Sequence, residues 1–156
     1  MTKGLYRLGM LAAMGVGLML LCSCQRNRIL HEYADVDIWG WEADDTVSFV
    51  LPKITRTGGL NVSVGVRRTS SYQYERLRLL STIYCDDEWM RSDTVVLDMY
   101  EENGRNESES MVYYTITQDI PALQVDSGHV YSYYINHLMQ QYSIQGIKDV
   151  GLEVWQ

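Results

Sequence analysis

Apolar and polar residues alternate over short runs along most of the chain. Leu60, Val62, Val64 and Val66 fall on one face of an extended segment, with Asn61, Ser63, Gly65 and Arg67 on the other. A period of two over eight residues predicts a half-buried strand. Residues 46–51 predict a second strand, stopped by Pro52, which has no N–H to give a ladder. The pattern recurs at residues 77–84, 94–99, 112–118, 129–138 and 150–155, about seven strands in all. The separators carry turn chemistry: Thr57-Gly58-Gly59, Glu102-Asn103-Gly104, Asp126-Ser127-Gly128 and Gln145-Gly146. No segment after residue 24 sustains a 3.6-residue period with caps, and residues 137–143 have room for one helical turn. Residues 101–110 are the most polar stretch and predict a mobile loop. Seven or eight antiparallel strands in about 125 residues imply two packed sheets. The expected fold is all-β: a single antiparallel β-sandwich, jelly-roll or Ig-like. There is no internal repeat.

The first residues follow a different pattern. Lys3 and Arg7 precede an uncharged run over residues 8–21, too short for the roughly 20 apolar residues of a membrane span. It suits the core of a signal peptide. The run ends in Leu21-Cys22-Ser23-Cys24, which resembles the bacterial lipobox, where cysteine becomes the new N-terminus and carries lipid. Cys24 fits, with Ser23 before it and Leu21 three before it, whereas Cys22 would place bulky Leu21 at the cleavage point. The expected organisation is a lipoprotein signal peptide over residues 1–23, a lipidated tether over 24–32 and the sandwich over 33–156. Lipid on Cys24 supplies the membrane contact.

Composition narrows the function. The chain has 20 acidic and 13 basic side chains and a net charge of −7, which argues against nucleic acid as a partner. Removal of residues 1–23 takes away Lys3 and Arg7 and leaves a more acidic domain, one that anionic headgroups repel. Cys85 is then the one cysteine besides Cys24, so no internal disulfide is possible. Cys85 reads as a small buried hydrophobe, its acidic neighbours Asp86, Asp87 and Glu88 disfavouring a thiolate. His129 and His137 would lie about 27 Å apart in one strand, too far to share zinc. Residues 86–88 are the best calcium candidate, yet no loop alternates oxygen ligands with glycine. No metal site and no cofactor are expected. There is no Gly-x-Ser-x-Gly elbow and no phosphate-cradling glycine loop, and no acid–base pair can be placed, so no catalytic residue is assigned.

Aromatic usage is uneven: twelve Tyr and four Trp against one Phe. Tyr and Trp join apolar area to a polar tip, which suits interfaces and sugar stacking. Trp39 and Trp41 are expected on one strand face. Tyr131, Tyr133 and Ile135 share another, opposite Tyr134. Tyr133 and Trp155 read as core, whereas Tyr72 and Tyr74 sit in a predicted loop as contact candidates.

Four motifs then point to a family. Trp41-Glu42-Ala43-Asp44-Asp45-Thr46-Val47-Ser48-Phe49 is the first, and Val66-Arg67-Arg68-Thr69 leading to Tyr72-Gln73-Tyr74-Glu75-Arg76-Leu77 the second. Asp93-Thr94 is the third. The fourth is His137-Leu138-Met139, then Ile144-Gln145-Gly146-Ile147-Lys148-Asp149-Val150-Gly151-Leu152. Together they resemble GldH, the gliding motility lipoproteins of Bacteroidetes, from Cys24 to the C-terminus. Arg68, Gln73, Arg76 and Gln140 stand where that family usually has Asn, Pro, Asn and Arg. The resemblance implies a non-catalytic cell-envelope lipoprotein associated with the gliding and type IX secretion apparatus, with envelope proteins as partners. The partner-binding candidates are Arg67, Tyr72, Tyr74, Trp41 and Asp149. The residues after Cys24, Gln25-Arg26-Asn27-Arg28, lack an acidic export-like run, which points to a periplasm-facing protein. The rival expectation is a carbohydrate- or peptidoglycan-binding β-sandwich, with Trp39, Trp41 or Tyr74 as stacking platforms.

Overall fold

The computed structural model describes residues 27–100 and 113–156. Cys24 and the polar segment predicted as a loop lie outside the described residues. Ten strands run in chain order: β1 Arg28–Asp35, β2 Trp41–Glu42, β3 Val47–Val50, β4 Gly58–Arg68, β5 Arg76–Cys85, β6 Glu88–Asp98, β7 Tyr114–Val125, β8 Tyr131–His137, β9 Ser143–Ile144 and β10 Ile147–Trp155. There is no helix among the described residues, and between His137 of β8 and Ser143 of β9 the chain bends over residues 140–142 rather than forming a helical turn.

Two four-stranded antiparallel sheets face each other, in the orders β1-β10-β4-β7 and β3-β8-β5-β6, here called sheets A and B. The β2-β9 ribbon closes one end. Alternation explains the burial. Leu60, Val62, Val64 and Val66 on β4 and Tyr131, Tyr133 and Ile135 on β8 point inward and are buried. Facing sheets interdigitate these rows into one core.

The differences from the sequence pattern have local causes. β1 includes residues 28–32, whose polarity had placed them in the tether. It is an edge strand with Leu30 as its one buried side chain, so its apolar signal is weak. β7 runs past Pro121 to Val125 rather than ending near residue 118. Pro121 lies on an edge strand where the ladder slips between Leu60 and Val62, and an edge bulge is where a strand tolerates proline. Arg91 of β6 donates through Nη2 to the carbonyl of Pro121 at 2.8 Å, tying sheet B to that edge. Asp86 and Asp87 have φ of 47° and 69° and form a two-residue hairpin turn between the paired Cys85 and Glu88. Such turns need positive φ at both central residues, which Asp tolerates.

Antiparallel pairing sorts the loops to two ends. The near end holds the start of β1, the end of β10, the Asp86-Asp87 turn and residues 126–130. The far end holds residues 36–46, 69–75 and 138–146.

Candidate functional site

The far end is where most of the predicted motifs converge. Asp37 accepts the N–H of Trp39 through Oδ1 at 2.9 Å and the N–H of Gly40 through its carbonyl at 3.1 Å. This turn separates the two tryptophans expected on one face. Trp39 is turned out, 79% exposed, whereas Trp41 is fully buried. The Trp41 indole donates to the Asp45 carbonyl at 2.9 Å and packs edge-on against His137, 5.1 Å between ring centres. His137 Nε2 donates to the Trp41 carbonyl at 3.1 Å, and its Nδ1 accepts from Met139 N–H at 3.4 Å. Both nitrogens are thereby satisfied in the neutral ring, and burial holds its pKa below the usual 6.5.

Tyr72 is not a surface residue. Its N–H bonds back to the Thr69 carbonyl, and its hydroxyl donates to the Arg76 carbonyl at 3.0 Å. The ring is buried, which raises its pKa. Tyr74 packs edge-on against it at 5.5 Å and stays half-buried at the rim. Gly146 fixes the approach of the adjoining loop. Its φ is +87°, and a Cβ there would lie 2.5 Å from the Tyr72 amide nitrogen. Ser71, Gln73, Tyr74, Ser143 and Gln145 line a polar hollow of about 290 Å³ beside it. Tyr142 is exposed, and its hydroxyl donates to Asp44 Oδ1 at 2.6 Å, a bond that raises its pKa. Tyr100 and Leu138 are exposed at the same end.

Arg67 and Asp149 meet on the outer face of sheet A. They are cross-strand partners, and the guanidinium holds the carboxylate with two bonds of 2.7 and 2.5 Å. Asp149 is fully buried and Arg67 half-buried. The pairing raises the Arg67 pKa. Sequence reasoning missed the residue beside them, Tyr33. It pairs with Gly151, which pairs with Gly65, so its ring lies across two glycines, and the Arg67 guanidinium caps it at 4.7 Å. The detectable signal was a glycine on each of two central strands. Also missed was Arg68, buried with its guanidinium between Tyr100 and Tyr114 at 4.2 and 4.4 Å and its Nε donating to the Met99 carbonyl.

Of the partner-binding candidates, then, the fold brings Arg67 to Asp149 and Tyr72 to Tyr74. It buries Trp41 and Tyr72 in the core and Asp149 beneath Arg67 on the outer face of sheet A, so none of the three is exposed.

The GldH lipoprotein family profile matches residues 28–154, nearly the whole described chain. The chain belongs to the GldH lipoprotein family. The gliding motility lipoprotein GldH of Flavobacterium johnsoniae is 30% identical over 86 residues, which is 55% of this chain and 54% of the relative. The chain thus matches about half the length of that curated relative. Among solved structures, a 4-O-methyl-α-glucuronidase with specificity for decorated arabinogalactans aligns over 86% of this chain and 18% of its own, with TM-score 0.47 and 15% identity. The EclA C-terminal domain, a sugar-binding protein, aligns over 86% of this chain and 81% of its own, with TM-score 0.40 and 7% identity. Three of the four GldH-like motifs fall on the far end and the strands that enter it, whereas Asp93-Thr94 lies within β6 of sheet B.

Proposed function

We propose that this GldH-family protein is a non-catalytic, periplasm-facing lipoprotein, anchored through Cys24, that serves the gliding and type IX secretion machinery by binding envelope proteins through its far end. The observation that carries this reading is the exposure of Trp39, at 79%, and Tyr142, at 58%, at the end opposite the start of β1. Exposed Trp and Tyr are the residues that dominate protein interfaces. The anchor favours the same orientation. Cys24 is three residues before Asn27, at most about 11 Å of extended chain, and the Asn27 carbonyl accepts the N–H of Gln156 at 3.1 Å. A lipid at Cys24 therefore keeps the near end by the bilayer and turns Trp39 and Tyr142 away from it. Arg67 and half-buried Tyr74 flank that surface. The absence of acidic residues at positions 25–28 supports the periplasmic side.

The test is partner recovery from crosslinked membranes. A Trp39→Ala, Tyr142→Ala double variant is expected to lose its partners while keeping the native circular dichroism. Unchanged recovery would reject the far end as the contact surface. Cys24→Ala should abolish palmitate labelling.

A second reading has one specific observation in its favour. The outer face of sheet B carries a hollow of about 410 Å³ lined by Thr46, Thr82, Tyr84, Asp87, Tyr134 and Asn136, with Tyr84 and Tyr134 edge to face at 5.3 Å. Hydroxyls, an amide and tyrosine rings, with one acid, match a neutral glycan. Exposed Trp89, at the border of this face, would report such binding by a saturable change in emission.

A further inference from the structure

The near end brings together three donors that the sequence keeps apart. Cys85 and Asp86 lie at the β5–β6 turn, and His129 precedes β8, 43 residues beyond Asp86. Cys85 pairs with Tyr131 across the sheet, which carries His129 to the turn. Donor atoms of Cys85, Asp86 and His129 all lie within 4.8 Å of one another. Cys85 is half-buried and in no disulfide, and the other two side chains are about half exposed, so an ion has access.

We propose that Cys85, Asp86 and His129 form a zinc site with an open fourth position. Thiolate, imidazole and carboxylate are the ligand types zinc takes, and three protein ligands plus water is a common arrangement for it. The expectation of no zinc rested on the distance between His129 and His137. The fold gives His129 different companions.

The geometry is prepared on two sides. Asp86 Oδ1 already accepts the Val130 N–H at 2.9 Å, which fixes the carboxylate and leaves Oδ2 to point at His129 Nδ1, 2.6 Å away. The left-handed backbone at Asp86 sets that direction. Tetrahedral zinc spaces its ligand atoms roughly 3.3–3.7 Å apart. The Asp86–His129 contact, at 2.6 Å, must open by about 1 Å, and Cys85 Sγ, within 4.8 Å of both, has at most about 1.3 Å to close. Rotations about the side chains of an exposed turn supply such shifts. Binding expels the thiol proton to solvent, and the thiolate and carboxylate then neutralise the dication. The bound ion would pin the β5–β6 turn to the segment entering β8. The site is at the opposite end from Trp39 and Tyr142, so its fate is independent of the partner-binding reading.

The test uses the full chain, purified in detergent, reduced and freed of metal. Cobalt(II) is titrated as a spectroscopic probe, followed by zinc(II). One equivalent of cobalt should give a sulfur-to-metal charge-transfer band that zinc abolishes. Cys85→Ser should remove the band, and His129→Ala should weaken zinc binding at least tenfold with circular dichroism unchanged. No band at saturating cobalt, or a band that survives in Cys85→Ser, would overturn the proposal. So would zinc affinity that falls in Glu42→Gln, within the other exposed acidic group of Glu42, Asp44 and Asp45, and stays unchanged in His129→Ala.

Discussion

Tyr33 and the two glycines beneath it make a prediction whose sign reverses with context. A Cβ on Gly151 would lie 2.5 Å from Tyr33 Cε1 and 2.7 Å from Cδ1, so Gly151→Ala must lift the ring off the sheet. Lifting it exposes roughly 50 Å² of apolar surface, about 1.3 kcal/mol at 25 cal/mol per Å². It also loses the stacking of Arg67, about 0.5–1 kcal/mol. Alanine in a strand regains about 0.5–1 kcal/mol over glycine. The single variant should therefore lose about 1 kcal/mol. In a Tyr33→Ala background the three atoms nearest the new methyl are gone, and Gly151→Ala should stabilise by about 0.5–1 kcal/mol. The double-mutant coupling is then about 2 kcal/mol, in the range expected of side chains in contact. Gly65 sharpens the test. Its added Cβ would meet the Tyr33 hydroxyl at 2.6 Å but the ring carbon behind it at 3.3 Å. Tyr33→Phe should relieve Gly65→Ala and leave Gly151→Ala as costly as before. Urea denaturation at fixed detergent concentration measures all of these. If Gly151→Ala costs the same with and without the Tyr33 ring, the reasoning fails.

Two further outcomes follow from buried charge. Arg67→Ala leaves the fully buried Asp149 carboxylate without its partner and should cost about 3 kcal/mol or more, whereas Asp149→Ala frees an arginine that reaches water and should cost about 1–2 kcal/mol. Equal losses in urea denaturation, or a larger loss for Asp149→Ala, would contradict this asymmetry. His137 has a folded pKa below its unfolded value, so its neutral form contributes fully above about pH 6.5. As the pH falls below 6.5 the unfolded chain takes up the proton first, and stability declines until the folded pKa is passed. Thermal unfolding from pH 8 to 5 should show this decline, and His137→Gln should flatten it.

What the sequence disclosed was set by which interactions are local. Strands β4 and β8 were legible because alternation within one segment records one buried face. β1 was not, because an edge strand with Leu30 inward and Tyr33 outward shows little contrast. The separation of Trp39 from Trp41 turns on one Asp37 side chain capturing an amide, which competes with extension over three residues. The companions of His129 depend on pairing of Cys85 with Tyr131 across 46 residues, and no periodicity reports register at that range.

The candidate surface shows a related asymmetry between motif and exposure. Trp41, Tyr72, Gly146 and Asp149 carry the GldH-like pattern, and each is held by the fold's own needs: an indole bonded to a backbone carbonyl, a tyrosine under a turn, a glycine against backbone, an acid locked to arginine. Residue types that a buried geometry restricts leave recognisable motifs, because few others fit. An exposed contact residue is free of that restriction, and burial is what tells Trp39 from Trp41 and brings Tyr142 forward. The motifs therefore mark the frame that shapes the far end. On the proposed reading partner choice falls to the exposed aromatics on it, so substituting Trp39 and Tyr142 should separate recognition from folding in a way that substituting Trp41 or Tyr72 does not.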